Sequence, residues 1–207
     1  MEKRRISILG DSISTFAGYT PEEAVFYDSY VQWETGVKSV EDTWWMQVIK
    51  ALDGELGTNH SLAGSMVSGN LSTSAMSYER IEKLGTNGIP DIILISAGCN
   101  DWGFCVLPEE FEEAYRTMLH RIKEQYPHAD IYCATLPEGK QPQGETFLIL
   151  TARFLRECIL ILSERMPKKR KYILRILQMF RKNMKQWMEC IRIKQECIRL
   201  PGCGSGK

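Results

Sequence analysis

Long apolar runs are missing from this 207-residue chain. No stretch of about 18 apolar residues occurs, which excludes a membrane-spanning helix. The apolar run after the basic start MEKRRISILG is too short for a secretory signal. Paired cysteines are missing as well: none of the seven Cys stands in a Cys-x-x-Cys pair or near a His at ligand spacing. That reads as reduced thiols in a cytoplasmic protein rather than a disulfide framework or a zinc site. No glycine-rich phosphate loop follows the first apolar run, which counts against a nucleotide binder. Histidine is scarce, with only His60, His120 and His128, and neither Asp nor His occurs after Asp130.

The net charge of zero hides a split. Residues 1–147 carry 11 Lys+Arg against 22 Asp+Glu, whereas residues 148–207 carry 15 against 4 and contain no Val. The chain therefore divides into a domain over 1–147 and a basic tail over 148–207.

What is present reads as an α/β pattern. RRISILG is a short β-branched run ending in Gly, a buried strand. Residues 15–40 are loop-like and aromatic, with Phe16, Tyr19, Phe26, Tyr27, Tyr30 and Trp33. SVEDTWWMQVIKALDG has a polar start, apolar residues at helical spacing and Gly54 as a stop, and so predicts a helix. A brief strand and a loop rich in Gly, Ser and Asn follow, then a helix over about 75–84. PDIILISAG is apolar on both faces, as a central parallel strand is. LPEEFEEAYRTMLHRIKEQYP is an amphipathic helix with acids first and bases later, and ADIYCATL is a further strand. This alternation predicts a parallel sheet covered by helices. Ligands then sit at the carboxyl ends of the strands, where the loops GDSIS, NHSLAGS and GCNDWG emerge.

Three residues in those loops have chemical potential. Ser12, just after a buried strand and near Gly10, is placed either as a nucleophile that also offers its N–H to an oxyanion, or as a helix N-cap helped by Asp11. Gly64 either brings a backbone N–H close to a ligand or supplies a flexible turn. Asn100 either donates its side-chain amide to a developing oxyanion or makes an Asx turn with Asp101 and Gly103.

Taken together, ILGDSIS, NHSLAGS and SAGCND resemble, in order and spacing, the first three sequence blocks of the SGNH, or GDSL, hydrolases, over about residues 5–137. The segments EDTWWMQVI and NDWGF resemble a bacterial subgroup. The resemblance implies a three-layer α/β/α, flavodoxin-like fold. It implies hydrolysis of small-molecule carboxylic esters by the Ser12 hydroxyl, with the oxyanion held by Ser12 N–H, Gly64 N–H and the Asn100 amide. Asp11, Asp101 and Trp102 would support the site or line the substrate. It implies a reaction without metal or cofactor. No known nucleic-acid motif accompanies the basic tail, so no nucleic-acid partner is expected.

The family's fourth block, Asp-x-x-His near the C-terminus, has no counterpart. His60 lies near the Gly64 loop but reads as a loop residue beside Asn59, and His120 and His128 read as solvent-facing. A reading-frame change offers an account. Back-translated two bases out of register, Trp187–Met188 forces Asp and Met188–Glu189 forces Gly, and the following pairs permit Met-His-Pro-Asn-Lys-Ala-Gly-Met. This looks like the family's Asp-x-x-His-Pro block. On that account residues from about 148 onward are a shifted reading of an ancestral C-terminal third, helical or disordered, and the hydrolase is impaired. The rival account takes the tail at face value: a basic amphipathic helix on a catalytically inactive binding domain, or a solvated cationic helix.

Overall fold

The computed structural model describes residues 3–28 and 37–134. Four strands, β1 (Arg5–Gly10), β2 (Glu55–Asn59), β3 (Ile92–Ser96) and β4 (Asp130–Cys133), form one sheet in the order β2-β1-β3-β4. All three pairings are parallel, with Ile6 opposite both Leu56 and Ile92, and Ile92 opposite Asp130. Parallel neighbours need crossovers, and among the described residues these carry four α-helices: α1 (Trp44–Ala51), α2 (Tyr78–Lys83), α3 (Cys99–Gly103) and α4 (Pro108–Gln125).

The period of two along each strand divides the core. Ile6, Ile8, Ile92 and Leu94 pack on one face with Trp45, Val48 and Ile49 of α1. Leu9, Ile93, Ile95 and Ile131 pack on the other with Ile81 of α2 and Phe111, Tyr115, Met118 and Ile122 of α4. The result is a three-layer α/β/α arrangement, as the strand–helix alternation predicts. In α4 the apolar stripe falls at positions 111, 114, 115, 118 and 122, Pro108 opens the helix, and Glu109 and Glu110 occupy its first turn. Acids there complement the positive end of the helix dipole.

The first crossover differs from its sequence expectation. The segment read as a single helix from Ser39 to Gly54 is a 3-10 turn, Val40–Asp42, followed by α1. The break is at Thr43, which is extended (φ −69°, ψ 145°) and whose Oγ1 accepts from Met46 N–H at 3.3 Å. Ser39 and Asp42 cap the turn before it reciprocally. Two polar caps four residues apart start two elements where the apolar periodicity suggests one.

In the aromatic stretch after β1, Phe16 and Tyr27 are buried on the α1 side, Phe26 packs against them and Tyr19 is exposed. Tyr30 and Trp33, and every expectation for residues 148–207, lie outside the described residues. Among the described residues no helix is long and apolar enough to cross a membrane.

Candidate active site

With β1 central and β2 and β3 on either side, the loops leaving their carboxyl ends emerge side by side at one edge. Ser12, Gly64 and Asn100 each lie on one of these three loops.

β1 ends at Gly10. A Cβ there would stand 2.5 Å from Ser14 Oγ and 2.8 Å from Ser61 Oγ, so only glycine lets the first two loops approach this closely. Asp11 follows, fully buried, and its N–H donates to the Ser96 carbonyl of β3 at 3.2 Å. Its Oδ1 accepts from Ile13 N–H at 3.2 Å and caps the 3-10 turn Ser12–Ser14. Asp11 rather than Ser12 is therefore the cap, which removes the bland role open to Ser12. The Ser12 hydroxyl and N–H make no hydrogen bond among the described residues, and the residue is partly exposed.

Gly64 is the third residue of a turn closed by Ser65 N–H donating to the Leu62 carbonyl at 3.2 Å. Its φ of +77° is the left-handed region that glycine adopts without strain. The residue is exposed, and its N–H has no acceptor among the described residues. Asn100 lies in the first turn of α3, a short helix rather than the loop the sequence suggests. Its Nδ2 donates to the Ser65 carbonyl at 2.8 Å. A primary amide carries two such N–H groups, so the second remains.

Hydrogen bonds lace the three loops together. Leu62 N–H donates to the Gly10 carbonyl at 3.2 Å, and Asn59 Nδ2 to the Ser14 carbonyl at 2.9 Å. Asp101, fully buried, accepts from Val67 N–H at 2.8 Å and Ser68 N–H at 2.9 Å, pinning the second loop to α3. Trp102 is partly buried on the same short helix.

The electrostatics separate the candidates. Burial pushes the Asp11 carboxyl up to about 7, against the pull of the Ile13 N–H and the Arg80 guanidinium. Its Oδ2 has no hydrogen-bond partner among the described residues. Burial raises the Cys99 thiol well above its ordinary value, with Asp11 and Asp101 adding to it, so Cys99 is no thiolate nucleophile.

His60 is not the missing base. Its Nδ1 accepts from Arg80 Nε–H at 3.2 Å, so its proton sits on Nε2 and neither nitrogen is free to take one from Ser12. Burial, then Arg80 and Lys83, hold its pKa down at about 4. The residue read as a plain loop position is thus part of a buried polar network. His120 and His128 are exposed, and His120 Nδ1 stands 3.4 Å from Glu124.

Sequence reasoning passed over Arg80, which is 1% exposed. It sits on α2 among Ser77, Ile81 and Leu84, the spacing of the buried helical face, and an arginine on an apolar face was the available signal.

The comparisons with known proteins agree with this architecture. The family model described as GDSL-like Lipase/Acylhydrolase matches residues 4–163. Among solved structures, a protein described as a GDSL-like lipase from Bacteroides ovatus is similar at 26% identity and a TM-score of 0.60, over 79% of this chain and 83% of that one. A second, from Bacteroides uniformis, is similar at 27% identity and a TM-score of 0.56, over 75% and 79%. A psychrotrophic esterase from a Pseudoalteromonas species shares the fold at 15% identity and a TM-score of 0.51, over 90% and 99%. No curated protein matches the chain. The parallel α/β/α fold and a family match over most of the chain place it in the GDSL-like lipase/acylhydrolase family of ester-bond hydrolases.

Proposed function

We propose that this chain carries the nucleophile and oxyanion hole of a serine esterase acting on small carboxylic esters. The observation that carries the reading is the state of the polar groups at the sheet edge. Ser12 Oγ and N–H and Gly64 N–H have no partner among the described residues, whereas the groups around them are bonded.

The Ser12 hydroxyl attacks the ester carbonyl. The developing oxyanion accepts from Ser12 N–H, Gly64 N–H and the second N–H of the Asn100 amide, which Ser65 already orients. Collapse expels the alcohol and leaves an acyl-serine, and water releases the acid. Asp11 caps the nucleophile's turn and Asp101 anchors the facing loop. Trp102 is a candidate wall for the acyl or alcohol group. Short-chain acyl esters, acetylated carbohydrates and lysophospholipids are the substrate classes to survey.

The step this chain handles poorly is removal of the Ser12 proton. No Asp or His follows residue 130, and His60 is occupied by Arg80. A serine without a base is a weak nucleophile, and what remains is the contribution of the oxyanion hole and binding, about 1,000- to 10,000-fold over water. The proposal includes the frame change from about residue 148 that would have removed the Asp-x-x-His block. The second reading, an inactive binding domain with a basic tail, is favoured by that same missing pair.

Turnover of p-nitrophenyl acetate tests the proposal. Slow hydrolysis that disappears in Ser12→Ala supports the esterase reading. Hydrolysis that is indifferent to Ser12→Ala supports the binding domain.

A further inference from the structure

We infer that Arg80 is a positioning residue for the oxyanion hole, fixing the backbone of the nucleophile loop against the loop that carries Gly64. This rests on the esterase reading above and adds to it a residue that touches no substrate.

A guanidinium has five N–H groups in a rigid planar fork. In this chain all five have acceptors. Nε donates to His60 Nδ1 at 3.2 Å. Nη1 donates to Ser65 Oγ and, at 2.8 Å, to the Thr73 carbonyl. Nη2 donates to the Gly10 carbonyl at 2.9 Å and the His60 carbonyl at 2.6 Å. No N–H is left for a substrate, so Arg80 acts only through the groups it holds.

Those groups are distributed in a telling way. Gly10 lies two residues before Ser12, and its carbonyl accepts from Leu62 N–H as well as from Arg80. His60 and Ser65 bracket the turn that presents Gly64. Ser65 in turn gives its carbonyl to Asn100 Nδ2. One buried side chain thus ties together the backbone behind all three oxyanion donors. A fold that needed only a filled volume here would use an apolar residue, because a buried cation is costly to desolvate. Burial lowers the Arg80 pKa to about 10, with Asp11 opposing, so the group stays charged at neutral pH. Lysine offers three donors from a single nitrogen and cannot span these acceptors.

The test uses the full chain and a fluorophosphonate ester, with the adduct followed by intact mass. In the labelling step the Ser12 Oγ–P bond forms, the P–F bond breaks, fluoride leaves and the hydroxyl proton passes to buffer. Two quantities are read: the rate, and the final fraction labelled. Arg80→Lys is expected to label to full stoichiometry at a rate at least about tenfold lower, since a displacement of about 1 Å in such a site costs up to 100-fold. A purely structural role would lower the final fraction and leave the rate of the folded molecules unchanged; that result, or an unchanged rate and fraction, overturns the inference. If Arg80→Lys does not fold, Ser65→Ala, which removes the Ser65 Oγ acceptor of Arg80 together with that hydroxyl's own donation to the Thr73 and Met66 carbonyls, carries the test: a rate lower by about threefold at full stoichiometry supports the role, and an unchanged rate overturns it. Ser12→Ala is the control. Equal labelling of Ser12→Ala and the unaltered chain, or none of either, overturns the esterase reading itself, and the Arg80 role with it.

Discussion

Asp11 and His60 both touch the Arg80 network, and burial moves their pKa values in opposite directions across the same pH range. The folded Asp11 keeps its proton up to about pH 7, whereas an unfolded one loses it near 3.8. Between those values the folded state binds the extra proton, so stability falls as pH rises, by at most about 4 kcal/mol. His60 remains neutral down to about pH 4, whereas unfolded it gains a proton near 6.5. Over that window the unfolded state binds the extra proton, so stability rises with pH. The two slopes oppose each other from pH 4 to 6.5. Asp11→Asn, which keeps an acceptor for Ile13 N–H, is expected to leave only the rising slope and to raise Tm at pH 8. His60→Gln is expected to expose the falling one. Thermal melts from pH 4 to 8 check both. For catalysis, Asn100→Ala is expected to lower kcat by about 100-fold or more, as loss of one oxyanion donor does, with steady-state ester hydrolysis as the readout. At this scale Ser12 and Asn100 stood out as candidates because each follows an apolar strand, and Gly64 because it lies in the Gly-, Ser- and Asn-rich loop after β2. Arg80 was not, because its five acceptors come from loops as far as 70 residues away in sequence and no local pattern encodes them.

At the scale of elements, β3 was the easiest to read: every residue of Ile92–Ser96 is buried, so the run is apolar on both faces. The amphipathic α4 was nearly as plain. The first crossover was read less well. Its apolar spacing gave the helix, while the caps that divide it act through polar groups that periodicity does not weigh. Thr43→Ala is expected to cost about 1 kcal/mol, the usual worth of an N-cap. Trp45, fully buried between α1 and β1, is expected to cost about 3–5 kcal/mol on replacement by alanine. Urea titrations of the two variants check both figures.

For the whole molecule, the sequence divides by charge at about residue 147, whereas the family match continues to residue 163. The frame-change proposal joins the charge division to the absence of Asp and His after residue 130, whereas a match running past residue 148 is not what a shifted reading predicts. Sequencing the coding DNA over codons 140–200 is expected to show a Trp187–Ile191 region that reads Asp-Gly-x-His in the shifted frame. A TGT codon for Cys190, which gives Tyr instead of His there, would remove the proposal. The central claim is that a competent nucleophile and oxyanion hole stand without their base. The most direct measurement compares p-nitrophenyl acetate turnover by the chain as it stands, by the chain with the frame restored, and by Ser12→Ala of each. The account predicts slow, Ser12-dependent hydrolysis by the first and an increase of about 1,000-fold or more by the second. Both are lost in Ser12→Ala. Equal rates for the first two, or activity that survives Ser12→Ala, would contradict it.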